Sequence, residues 1–211
     1  MVFSVSRAIL RIVFRVLFGF RVEGREHEPP SGPLIVVSNH VSDLDPLVVG
    51  CAVRRPCHFM AKIELFGPPL LRWWVSACGA FPVRRGAPDR QALRTARAIL
   101  ERGGVLVMFP EGTRGTNSRD LRPPEPGAAL LALRTRAAIL PVAVIGTDTV
   151  LPRGAHRPSR GVIRVRIGTP MRAAGPDDPG GGVRADRDRI EEVGRQFMGM
   201  IGGLLAEAGQ P

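Results

Sequence analysis

The sequence predicts an α/β fold, in which a mostly parallel mixed sheet is covered by helices and preceded by an amphipathic N-terminal helix. Three observations predict it. Short apolar runs such as Leu34-Ile35-Val36-Val37 and Val105-Leu106-Val107-Met108 read as buried strands and alternate with longer helix-like stretches. Arg7, Arg11 and Arg15 recur at helical spacing inside an otherwise apolar segment. The chain has 211 residues and 44% apolar content, enough for one sizeable core and too much for a disordered chain.

Taken in order, residues 2–20 form the amphipathic helix, with the three arginines and Ser4 in one narrow stripe and Arg21 near its edge. At 1.5 Å per residue this segment reaches about 28 Å, marginally a membrane span. About twelve large apolar residues favour insertion by roughly 4–7 kcal/mol, while three arginines oppose it by up to ~8–10 kcal/mol. The balance favours a helix lying in the membrane plane, arginines among headgroups and Val, Ile and Phe in the acyl region. A helix simply packed on the domain is the alternative. Arginines interrupting the apolar stretch, with no small-residue cleavage site after it, argue against a signal peptide. The chain accordingly divides into 1–24, the membrane-association helix, and 25–211, an α/β domain. Strands are expected near 33–38, 57–61, 80–84, 104–109, 139–145 and 162–167. Helices are expected near 46–54, 67–77, 88–102, 127–136 and 185–207. The stretches 115–126 and 173–183, rich in Gly, Pro and polar residues, read as loops.

The net charge of +11 is almost wholly arginine, since Lys62 is the only lysine. Nucleic acid, an anionic membrane surface or phosphorylated substrates could each answer such charge. Aromatics make up only 5% and Tyr is absent, so the stacking platforms of nucleic-acid modules are missing. No nucleic-acid partner is expected; membrane and phosphate fit better. Cys51, Cys57 and Cys78 are odd in number, lack metal-ligand spacing and read as reduced thiols. That points to a reducing, cytoplasmic setting, and no metal site is expected.

Two blocks carry chemistry, and each follows an apolar strand. The first is Ser38-Asn39-His40-Val41-Ser42-Asp43-Leu44-Asp45-Pro46; the second is Phe109-Pro110-Glu111-Gly112-Thr113-Arg114. In an α/β sheet both fall at carboxyl ends of strands, where functional loops gather. If the chain turns tightly, Asp45 can accept a hydrogen bond from His40 and leave the other ring nitrogen free as a general base. Asp45-Pro46 is also a good helix start, and Ser42-x-x-Asp45 resembles a capping pair, so a purely structural Asp45 stays open on this evidence.

These blocks resemble the glycerolipid acyltransferase family, which carries N-H-x4-D and F-P-E-G-T-R at about this separation. Between them the family has a glycine-led segment ending in a basic residue, matched by Gly79-Ala80-Phe81-Pro82-Val83-Arg84-Arg85-Gly86. A weaker Pro-Val block is matched by Leu140-Pro141-Val142-Ala143-Val144-Ile145-Gly146. The resemblance covers roughly residues 30–170. It implies a glycerolphosphate-acyltransferase-like fold and transfer of a fatty acyl chain to 1-acylglycerol-3-phosphate (lysophosphatidate). The acyl donor would be acyl-CoA or acyl carrier protein, a substrate rather than a resident cofactor.

The resemblance further implies catalytic roles for His40 and Asp45, with His40 taking the acceptor's proton directly, and phosphate binding by Arg85 and Arg114. Gly112 would let the backbone approach the phosphate and Thr113 would add a hydroxyl. Glu111 would orient Arg114 or Arg85, or bond a glycerol hydroxyl. Lys62, where the family commonly has a lysine, would stand near the phosphate or the coenzyme, or be a solvated strand end. One departure concerns Pro124-Glu125-Pro126, where the family often shows an aromatic and a lysine. It puts the identity of the acceptor in question and keeps another lysolipid or an amino-lipid as alternative acceptors, with a non-catalytic lipid-binding protein as the rival class. His27, His58 and His156 read as structural or surface residues. The expected place of work is the cytoplasmic face of the cell membrane, among membrane phospholipids.

Overall fold

The computed structural model describes residues 2–84, 89–118, 120–173 and 187–208. The chain runs α1 (Val2–Phe18), β1 (Arg21–Glu23), β2 (Leu34–Ser38), α2 (Asp45–Ala52), β3 (Cys57–Lys62), α3 (Pro69–Ala77), β4 (Ala80–Val83), α4 (Arg90–Glu101), β5 (Val105–Met108), α5 (Gly127–Thr135), β6 (Ala138–Ile145), α6 (Thr147–Val150), β7 (Arg164–Ile167), β8 (Met171–Arg172) and α7 (Arg187–Glu207). Among the described residues, eight strands form one sheet in the order β1-β7-β6-β2-β5-β3-β4, with β8 paired to β6. Pairings among β6, β2, β5, β3 and β4 are parallel, as is β1 with β7; β6 meets β7 and β8 antiparallel.

Central position explains the apolar runs. β2 lies between β5 and β6 and every residue of it is buried. Its side chains alternate between two apolar layers. Leu34 and Val36 join α1 and α2 in one layer, and Ile35 and Val37 join α4, α5 and α7 in the other. Helices cover both faces because parallel strands need crossovers. α4 starts at Asp89, whose carboxylate accepts from the Gln91 and Ala92 amides at 3.1 and 2.9 Å, and buries Ala92, Ala96 and Leu100 at four-residue spacing.

The expected strands and helices in the described residues are all present, within a few residues at their ends. β1, β8 and α6 were not legible locally. β1 is three residues with exposed ends, β8 is two, and α6 is a single turn, so each depends on partners far along the chain. The loop expected at 173–183 lies, beyond Ala173, outside the described residues.

Helix α1 is oriented differently from the sequence expectation. Arg7 donates to the carbonyl oxygens of Arg54 (2.6 Å) and Val53 (3.3 Å), and Arg11 to those of Cys51 (2.6 Å) and Val53 (3.3 Å). These carbonyls end α2, where unpaired acceptors and the negative pole of the helix favour cations. Arg7 and Arg11 therefore face the protein rather than lipid headgroups. Phe14 and Phe18 are buried in the core, while Val5, Ile9, Ile12, Val13, Val16 and Leu17 face outward. Arg15 remains exposed.

Candidate active site

The parallel strands deliver four segments to one edge of the sheet: the turn after β2, the end of β3, the turn after β5 and the turn after β6. The turn after β2 is wound around Asp45. Its Oδ2 accepts from the Val41 amide (2.6 Å) and the Ser42 amide (2.8 Å) and lies 2.9 Å from His40 Nδ1. An ionised carboxylate only accepts, so Nδ1 of His40 carries the proton facing it and Nε2 is left as the free nitrogen. The carboxylate binds amides that precede α2 rather than those of α2 itself, so Asp45 closes the turn instead of capping the helix.

The surrounding contacts fix this turn in place. Asn39 pairs with the backbone of Val144 in both directions (2.9 and 2.8 Å), extending the contact of β2 with β6 through a side chain. Phe109 stacks on the His40 imidazole, with ring centroids 4.2 Å apart. Glu111 reaches back from the turn after β5. One oxygen accepts from the His40 amide (2.9 Å) and the other from the Arg122 amide (3.3 Å). Glu111 is buried, and desolvation raises its pKa against the opposing pull of those two amides.

A cavity of about 500 Å³ opens beside the turn. His40, Asp43, Lys62 and Arg114 belong to its polar lining, together with Ser6 and Arg7 from α1, and Leu10, Leu47, Phe59 and Trp74 contribute to its apolar wall. Arg114 forms an ion pair with Asp43. Cys51 also faces the cavity, but burial pushes its thiol up to about 11, so it is protonated near neutral pH and ill suited to attack. Cys51, Cys57 and Cys78 are free.

Of the residues singled out from the sequence, His40, Asp45, Lys62 and Arg114 are thus brought together at or beside one cavity. Gly112 and Thr113 form the turn behind Arg114 and do not line it; Gly112 has φ 68°, which glycine tolerates, and stands beside the Glu125 side chain. Glu111 braces the backbone of His40 and Arg122. Arg85 lies outside the described residues. Sequence reasoning missed Asp43 as the partner of Arg114, Phe109 as the stacking neighbour of His40, and Thr147. The Thr147 hydroxyl donates to Asp45 Oδ1 at 2.6 Å. No local signal marks Thr147, because its partner is 102 residues away.

Comparison with known proteins places this site in a family. The Acyltransferase family model matches residues 19–145, which include both chemical blocks and the β6 segment. The chain is 31% identical over 164 residues to a chloroplastic 1-acyl-sn-glycerol-3-phosphate acyltransferase of Arabidopsis thaliana, a match covering 76% of this chain. It spans about half the length of that relative, the match covering 46% of it. A lyso-ornithine lipid O-acyltransferase of Pseudomonas aeruginosa is 31% identical over 186 residues, covering 80% of this chain and 70% of the relative. Among solved structures, the 1-acyl-sn-glycerophosphate acyltransferase of Thermotoga maritima superposes with a TM-score of 0.73 at 28% identity, over 94% of this chain and 79% of that one. With its two motif blocks inside the matched region, the chain belongs to the Acyltransferase family.

Proposed function

We propose that this protein transfers a fatty acyl chain from acyl-CoA or acyl carrier protein to the free hydroxyl of 1-acylglycerol-3-phosphate, giving phosphatidate. The observation that carries the reading is His40, held through Nδ1 by buried Asp45, standing at a cavity that joins an apolar wall to cationic side chains. Nε2 of His40 removes the proton of the acceptor hydroxyl as its oxygen attacks the thioester carbonyl carbon. Asp45 stabilises the imidazolium that forms. The C–S bond then breaks and the leaving thiolate takes the proton back from Nε2, so no acyl-enzyme is needed. Arg114 and Arg85 bind the acceptor phosphate, Lys62 adds positive charge at the cavity, and the apolar wall receives acyl chain. No resident cofactor enters these steps.

The enzyme works at the cytoplasmic face of the membrane, held through the outward apolar side of α1. Val5, Ile9, Ile12 and Val16 lie along one side of that helix and are exposed, and no helix among the described residues is long and apolar enough to cross a membrane. The test is acyl transfer by purified protein from one acyl-CoA to a panel of lysolipids, with and without His40→Ala. The expected result is phosphatidate formation, with kcat falling ~10²–10⁴-fold in the variant while the fold is retained. Near wild-type turnover by folded His40→Ala protein would remove the reading.

A second reading is favoured by the charge pattern around Arg114. Its guanidinium is already paired with Asp43, and Glu125 stands over Gly112 where the family often carries a lysine nearby. An acceptor with a zwitterionic amino-acid headgroup would meet both signs of charge. Preference for such a lysolipid over lysophosphatidate in the same panel would establish it.

A further inference from the structure

We propose that Thr147 is a positioning residue for the His40–Asp45 pair, an inference that rests on the reading of His40 as the general base. The Asp45 carboxylate is fully buried, and its two oxygens are used unequally. Oδ2 takes three donors: His40 Nδ1 at 2.9 Å, the Val41 amide at 2.6 Å and the Ser42 amide at 2.8 Å. Oδ1 takes the Thr147 hydroxyl at 2.6 Å. The torsion that turns a carboxylate about its Cβ–Cγ bond is broad and roughly two-fold. Fixing Oδ1 fixes the plane of the group, and with it the direction of the oxygen that meets the imidazole. Thr147 is itself fully buried, and because its partner only accepts, its hydroxyl must donate.

The backbone around Thr147 is shaped to make this contact. β6 ends at Ile145, and Gly146 turns the chain at φ 87°, where an added Cβ would stand 2.0 Å from the Val162 carbonyl oxygen. That turn places Thr147 at the start of α6 and against Asp45. Two further bonds lock the same two segments together. Asn39 pairs with Val144 just before the turn, and Ser42 Oγ donates to the Leu151 carbonyl at 2.8 Å just after it. The His40–Asp45 turn is thus clamped along its length by the β6–α6 segment, and Thr147 is the clamp's contact with the carboxylate.

The test compares Thr147→Val and Thr147→Ser in the full chain. Valine keeps the volume and loses the donor, whereas serine keeps the donor. For Thr147→Val, kcat should fall about ten- to a hundredfold, the scale of a small misplacement of a catalytic group, with KM for acceptor and donor little changed. Thr147→Ser should restore kcat to within a few-fold of wild type. Protein labelled with ¹⁵N-histidine adds a readout that loss of packing alone would not move. The His40 ring nitrogens should show the Nδ1–H tautomer in wild type and Thr147→Ser, and a tautomer mixture in Thr147→Val. If valine does not fold, Thr147→Ala set against Thr147→Ser isolates the same hydroxyl. Equal kcat and unchanged ring shifts in variants with and without the hydroxyl, while His40→Ala is inactive, would overturn the proposal and leave the general-base reading standing. Full activity of His40→Ala would instead overturn that reading, and this inference with it.

Discussion

Glu111 shows how one residue in a recognised motif can serve by holding another. Its carboxylate satisfies the amides of His40 and Arg122, so it ties the turn after β5 to the turn after β2. Burial raises its pKa, so in the native fold it ionises at a higher pH than in the unfolded chain. The fold therefore favours the protonated form, and that part of its stability is present below the unfolded carboxyl pKa and lost as pH rises through the folded value. Glu111→Gln removes this titration. Denaturant unfolding of wild type and variant from about pH 4 to pH 7 should show the stability of the variant gaining on wild type as pH rises. A flat difference would show that folding leaves the pKa of Glu111 unchanged, and one that moves the other way that Glu111 is more stabilised as an anion; either would remove the prediction. The His40–Asp45 pairing was within reach of local reasoning, since a turn of five residues suffices, but spacing left a capping role for Asp45 open and only the family resemblance favoured the pair. Which oxygens and amides complete their environment was not.

At the scale of elements, α1 separates what periodicity shows from what it cannot. The arginine stripe and the apolar remainder were both readable, yet two-sided amphipathicity does not say which side faces the protein. The ends of α2 decide it: three backbone carbonyls there accept from Arg7 and Arg11, and the opposite, apolar side is left outward. Ile12 and Val16, 65% and 76% exposed, are centred on that side. Taking each such side chain out of water contributes about 1.5–3 kcal/mol, so Ile12→Glu with Val16→Glu should weaken vesicle binding at least about a hundredfold. Activity on a short-chain, water-soluble acceptor should persist, since neither side chain lines the cavity. Undiminished sedimentation of the double variant with vesicles would place the membrane contact elsewhere.

At the scale of the whole molecule, the N-terminal segment is packed into the rest of the fold. Phe14 and Phe18 are in the same apolar layer as Val48 and Leu140, β1 pairs with β7, and Phe3, Ser6, Arg7 and Leu10 form part of the cavity wall. Removing residues 1–20 should therefore abolish cooperative thermal unfolding and activity on water-soluble acceptors, not merely release the protein from membranes. A truncated chain that unfolded cooperatively and stayed active on such acceptors would show α1 to be an appendage after all. Losing two buried aromatics alone costs about 3–5 kcal/mol each, a large part of a domain's stability.

The sequence by itself determined the alternation of strands and helices, the family and the chemical blocks at the strand ends. The elements and blocks are written in local terms, period, turn residues and short spacings, and the family is legible through the resemblance of four such blocks in order. Tertiary structure alone decided the short strands β1 and β8, the inward face of α1, the pairing of Asp43 with Arg114 and the hold of Thr147 on Asp45. Each of these joins residues brought together only when the sheet and its helices assemble. A hydrogen bond or ion pair depends on distances of about 3 Å, and no pattern along the chain fixes such a distance across 71 or 102 residues.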